Sequence, residues 1–161
     1  VNRSGRRRAL SVTGYVEWVL GDLAAKTRMH VVIERYDASG LLLARTAYGP
    51  DFADRVAFFD TDPAPGTSYD GDRAAFLGRN GALDHPAALS MPLLGGRVGA
   101  TLDPCAAIRV PFPDISAREP SGFQIAISSQ SSPERNTSRI PSASTTSERT
   151  SSGVSRSVVT R

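Results

Sequence analysis

The chain has 161 residues, 40% of them hydrophobic, with a formal net charge of +3, a pI near 9.5 and one cysteine. That length has room for one ordinary domain of about 100–150 residues, and one cysteine excludes an intrachain disulfide and fits a reducing compartment. No run approaches the roughly 18 consecutive apolar residues of a membrane span, and the first residues lack the charged-then-apolar pattern of a signal peptide, so a soluble piece is expected.

The basic charge is scattered rather than interleaved with aromatics, which argues against a nucleic-acid partner. The dense run Arg6, Arg7, Arg8 reads as a solvated strand entrance. Val1 is not a methionine and apolar alternation begins at Ala9, so a fragment cut inside a domain is expected.

From Ala9 to Leu20 the residues Val12, Thr13, Tyr15, Val16, Trp18 and Val19 favour a pleated strand, with Gly21 and Asp22 ending it. Tyr15 and Trp18 are expected on one face of it, packing one sheet upon another rather than forming an exposed sugar-stacking platform. Met29–Tyr36 and Leu41–Tyr48 read as two strands of an antiparallel hairpin, joined by Asp37, Ala38, Ser39 and a Gly40 suited to positive φ. Arg55–Asp60 follows as a fourth strand.

Between Thr61 and Met91 the breakers Pro63, Pro65, Gly66, Gly71, Gly78, Gly81 and Pro86 predict a long ordered loop. Within it Asp72 is placed to cap a single helical turn through Phe76. Strand character resumes at Arg97–Leu102 and at Ala106–Phe112, so an all-β antiparallel sandwich is expected over residues 1–112. Residues 113–161 form a Ser/Thr/Arg-rich tail; from Ser128 roughly half the residues are Ser or Thr, a composition that predicts disorder. A shifted reading frame in the encoding gene is the alternative origin of this tail.

Catalytic constellations are not evident. His30 sits in an expected strand and His85 beside Pro86, neither with a second histidine at metal-ligand spacing. Cys105 reads as a small buried residue. Gly95, Gly96 and Gly99 lack the spacing of a phosphate loop. The aspartates Asp60, Asp62, Asp70, Asp72 and Asp84 read mainly as turn formers bonding their own backbone, although paired carboxylates are also what glycoside chemistry requires. No catalytic residue, metal or cofactor is expected.

Three segments in order, Leu10–Gly21 (LSVTGYVEWVLG), Asp72–Arg79 (DRAAFLGR) and Gly99–Ala107 (GATLDPCAA), resemble the β-sandwich domain of the inverting glycoside phosphorylases, glycosyltransferase family 36 or glycoside hydrolase family 94. The likeness is greatest to the C-terminal part of the cyclic β-1,2-glucan synthases and covers about residues 1–112. It implies a supersandwich of the galactose-mutarotase-like kind preceding an (α/α)6 helical barrel. That barrel holds the acid and the phosphate site for inverting phosphorolysis, and nothing in this chain matches it. The implied role is non-catalytic: carbohydrate binding or domain packing, with a β-linked glucan or oligosaccharide, the helical barrel and a second copy of the chain as candidate partners. The loop residues Asp72, Arg73 and Arg79 are the candidates for contacting sugar or, alternatively, for fixing the loop. The resemblance further implies a cytoplasmic location, without membrane contact by this segment, in a parent that can be anchored in the inner membrane. The rival readings are a stand-alone carbohydrate-binding or subunit-interaction module and a non-functional remnant.

Overall fold

In the computed structural model, which describes residues 6–36, 40–49, 53–62, 64–100, 103–115, 125–131 and 156–160, alternation of apolar residues resolves into two antiparallel sheets. The first has the order β5-β6-β1-β8, from β1 (Arg8–Glu17), β5 (Ser68–Asp72), β6 (Pro104–Ile115) and β8 (Arg156–Thr160). The second has the order β2-β3-β4-β7, from β2 (Val31–Tyr36), β3 (Leu41–Thr46), β4 (Arg55–Thr61) and β7 (Ile125–Ser131). None of the described helices is long and apolar enough to cross a membrane.

Because side chains alternate across a strand, one parity of each sheet turns inward. Val16, Ala106, Ile108 and Val110 of the first sheet, with Trp18 just past the end of β1, meet Val31, Ile33, Leu42, Ala44, Ala57 and Phe59 of the second, forming the sandwich core. The opposite parity of the first sheet is buried too. Tyr15, Cys105 and Ala107 lie under Phe76, Leu77, Ala88 and Leu94 of the long loop. Tyr15 and Trp18 therefore occupy opposite faces, a correction that follows from period two, since residues three apart on a strand cannot share a side. Both are core residues, each 4% exposed.

The expected hairpin forms, with Val31 opposite Thr46 and Tyr36 opposite Leu41, and with Gly40 at φ 78° donating its N–H to the Tyr36 carbonyl at 2.8 Å. The remaining turn residues, 37–39, lie outside the described residues. Other boundaries move. The first strand stops at Glu17, and Arg28–His30 form a 3-10 turn, so His30 precedes its strand rather than lying within it.

Two expectations in the loop region are corrected. Ser68–Asp72, expected as loop, is an edge strand, although its sequence SYDGD has little β propensity. Pairing with β6 overrides that preference, with a register shift between Asp70 and Asp72. Conversely, the described part of Arg97–Leu102 forms no strand and touches the sheets by an isolated bridge, Gly99 to Ile33; residues 101 and 102 lie outside the described residues. Gly96 and Gly99, at φ 71° and 124°, bend this segment out of strand geometry.

The bent segment joins the two sheets along one edge. Gly96 N–H donates to Tyr69 O at 2.8 Å and Gly71 N–H to Arg97 O at 2.7 Å, while Ile33 and Gly99 exchange bonds of 3.1 and 2.8 Å. A Cβ on Gly71 would stand 2.9 Å from the Arg97 carbonyl and 3.0 Å from Ile33, so the join requires glycine there. Beyond Ile115 the described backbone comprises β7 on β4 and β8 on β1. The rest of the segment for which a disordered tail is expected lies outside the described residues.

Leu42 is fully buried between the sheets, so Leu42→Ala is expected to destabilise the fold by about 2–5 kcal/mol. Leu23→Ala, at an exposed position, is expected to change stability by no more than about 0.5 kcal/mol. Denaturant midpoints of the two variants check the assignment of inside and outside.

Candidate functional site

The long loop crosses the outer face of the first sheet, and its first turn is set by Asp72. The Asp72 carboxylate accepts from the Ala74 N–H at 3.0 Å and caps α2 (Arg73–Leu77), satisfying one of the free amides of the turn as the sequence predicts. Its other oxygen stands 3.8 Å from Arg97 Nη1. The cap aims Arg73 back across the sheet. Arg73 Nε donates to Glu17 Oε1 at 2.7 Å, its Nη1 reaches Asp103 Oδ2 at 3.4 Å, and its backbone N–H donates to Asp103 O at 2.7 Å.

Glu17 and Asp103 complete a charged cluster at the end of β1 and the start of β6. The Tyr15 hydroxyl also donates to Glu17 Oε1, at 2.8 Å, and Arg28 pairs with Asp103 Oδ1 at 3.3 Å. Burial opposes ionisation of Glu17, yet the hydrogen bonds from Arg73 and Tyr15 and the Arg73 charge outweigh it and hold its carboxyl below the usual carboxylate range. The same hydrogen bond raises the Arg73 pKa, while burial first, and the bond to Glu17 second, raises that of Tyr15.

Asp70 shows the opposite balance. Buried to 2% exposure, its carboxylate accepts from Asp72 N–H and Gly95 N–H, each at 3.0 Å. Burial still pushes its pKa up. A Cβ on Gly95 would fall 2.5 Å from Asp70 Oδ2, so glycine admits this contact. Asp60 likewise accepts from the following N–H, at 2.9 Å, so Asp60, Asp70 and Asp72 bond local backbone as turn formers do. Cys105 is fully buried, and desolvation raises its thiol pKa above the usual range, which disfavours the thiolate.

The far end of the loop is held by Arg109, 5% exposed on β6. Its guanidinium donates to Met91 O and Ala88 O, both at 2.6 Å, and to Thr13 Oγ1 at 3.3 Å. Among the described residues it has no ion-pair partner, and burial lowers its pKa.

Of the three residues singled out in the sequence, the structure brings Asp72 and Arg73 into this network and leaves Arg79 outside. Arg79 follows the α2 C-cap, is exposed, and makes no hydrogen bond or ion pair with a described residue. Sequence reasoning did not single out Glu17, Arg28, Asp103 and Arg109. A signal existed for two of them: a carboxylate closing an apolar strand, and an arginine inside the otherwise apolar run Ala106–Val110. Among the described residues no group of three or more His, Cys, Asp or Glu side chains could hold a metal ion.

Arg73→Ala removes the hydrogen bonds to two partly buried carboxylates and is expected to cost about 1–2 kcal/mol of stability, whereas Arg79→Ala stays within about 0.5 kcal/mol. The pH dependence has a defined sign. Glu17 has a folded pKa below its unfolded value of about 4.3, so its contribution is complete above that pH and is lost as pH falls through the folded value. Glu17→Gln is expected to flatten the stability profile below about pH 4.3. Thermal midpoints measured across acidic pH for wild type and both classes of variant check these outcomes; an unchanged Glu17→Gln profile contradicts them.

The model of the glycosyl hydrolase 94 supersandwich domain matches residues 1–143, continuing past Phe112, where the motif likeness ends. Over 108 residues, 66% of its length, the chain is 38% identical to the cyclic beta-(1,2)-glucan synthase NdvB of Rhizobium meliloti (strain 1021). It spans 4% of that relative's length. Two antiparallel sheets with a core between them agree with a supersandwich. The chain belongs to the glycosyl hydrolase 94 supersandwich domain family, a domain of carbohydrate-active enzymes.

Proposed function

We propose that this chain is a non-catalytic part of a glycoside phosphorylase or glycosyltransferase of the cyclic β-1,2-glucan synthase kind, serving carbohydrate binding or the packing of a catalytic domain. The carrying observation is the state of two carboxylates of the site, Glu17 and Asp70. A general acid in glycoside chemistry needs a carboxyl tuned upward and free to reach the leaving oxygen. Glu17 is tuned downward and bonded to Arg73 and Tyr15; Asp70 is tuned upward but buried, with both oxygens bonded to backbone N–H groups. Neither meets both requirements.

In this reading Asp72 and Arg73 fix the loop, and Arg79, exposed at its turn, faces a partner or a sugar. The partners are a β-linked glucan or oligosaccharide and the helical barrel of the parent enzyme, with a second copy of the chain as a further candidate. The segment lies on the cytoplasmic side in a parent that can be anchored in the inner membrane. The similarity to a cyclic beta-(1,2)-glucan synthase supports the substrate class, and the family supports the association with a catalytic domain.

The test is incubation of the purified chain with β-(1,2)-linked gluco-oligosaccharides and inorganic phosphate, followed by assay for sugar phosphate. No product is expected from the chain alone. Product formed in proportion to chain concentration, and abolished by Glu17→Gln, overturns the non-catalytic reading.

A further inference from the structure

Tyr15 and Trp18, the rings that the sequence offers first for sugar stacking, are buried. Another aromatic pair is not. His30 and Tyr48 lie parallel, ring centroids 4.4 Å apart and planes 3° from coincident, where the chain enters β2 and leaves β3. Tyr48 is 49% exposed, His30 is exposed, and the adjoining Met29 is 70% exposed. The other stacked pair, Tyr15 on Phe76 at 4.8 Å, belongs to the core under the loop. Among the described residues, parallel rings thus occur once as packing and once at the surface.

Each surface ring stands on a segment anchored from below by a buried threonine. Thr46, 2% exposed, accepts from the Tyr48 N–H through its hydroxyl at 3.2 Å. Thr27, also 2% exposed, leads into the 3-10 turn carrying His30 and donates its hydroxyl proton to Leu23 O at 3.0 Å. Gly21 lies so close to Thr27 that a Cβ there would meet its methyl group at 2.5 Å. The backbone under both rings is therefore fixed before any ligand arrives, which lowers the ordering cost of binding.

We infer that the outer face of Tyr48, backed by the stacked His30 ring, is a stacking platform for a glucosyl ring of a β-linked glucan. This rests on the carbohydrate-associated reading proposed above and adds the place and the mode of contact. Aromatic faces carry the negative part of the ring quadrupole and attract C–H groups bearing slight positive charge. A β-glucosyl unit holds its hydroxyls equatorial and turns C–H groups toward both faces, so it lies flat on such a surface. The exposed imidazole N–H and phenol hydroxyl supply donors at the rim for the equatorial oxygens. Met29 extends the apolar area beside the rings.

The experiment titrates the full chain with a linear β-(1,2)-linked gluco-oligosaccharide and follows the ring protons of Tyr48 and His30 by NMR. Saturable shifts on these two rings are expected, with a dissociation constant of about 1 mM, weak because few groups are engaged. Tyr48→Ala is expected to weaken binding about tenfold, and Tyr48→Phe, which keeps the stacking face, by less than about twofold. Circular dichroism and thermal midpoints verify that both variants fold as wild type does. If Tyr48→Ala binds as tightly as wild type, the platform is overturned while carbohydrate binding by the chain stands. If wild type gives no shifts at several millimolar sugar, the platform is also overturned; the absence of turnover is measured separately and keeps the non-catalytic reading independent.

Discussion

The structure depends on the ladder between β1 and β6, because this pair is buried on both faces. In register, Thr13 faces Arg109, Tyr15 faces Ala107 and Glu17 faces Cys105, while the alternate positions Val16 and Ala106 turn the other way into the sandwich. A strand pair covered on both sides must be apolar at successive positions rather than alternating. Pro104–Val110 obeys this except at Arg109 and is buried at every residue. Its small members Cys105, Ala106 and Ala107 let the second sheet on one side and the loop on the other approach closely.

The cover over the outer face creates a demand that Arg109 meets. A loop rich in glycine and proline has carbonyls that no ladder satisfies, and burying such groups without partners costs about 1–3 kcal/mol each. The guanidinium, fixed on the rigid central strand, takes up the Ala88 and Met91 carbonyls, and Ser68 Oγ accepts the Leu94 N–H nearby. A lysine would present one compact charge where two separated acceptors need a fork. Charged residues at the loop's other end do the complementary work, with Arg73 tying α2 to both central strands through Glu17 and Asp103.

What was legible in the sequence follows from the range of the forces involved. The β2–β3 hairpin and β4 are local patterns, and the Asp72 cap is a contact over two residues, so each can be seen in a short window. The pairing of Arg73 with Glu17 spans 56 residues, and with Asp103 spans 30, distances over which no sequence pattern reports contact. Strand β5 and the bent segment near Gly99 exchanged roles for the same reason. Edge pairing, not side-chain preference, decides which of two glycine-containing stretches becomes a strand. The parity of Tyr15 and Trp18, by contrast, was available from counting alone.

These constraints also explain where a surface function can reside. The central ladder commits both of its faces to packing, and the charges around α2 are committed to one another, so any change there trades directly against stability. The turn regions flanking β2 and β3 are under no such demand. There a buried threonine fixes the backbone while the adjoining side chain remains outside, so His30 and Tyr48 can vary with little cost to the core beneath them. A sandwich built in this way separates the residues that hold it together from those left free at its surface.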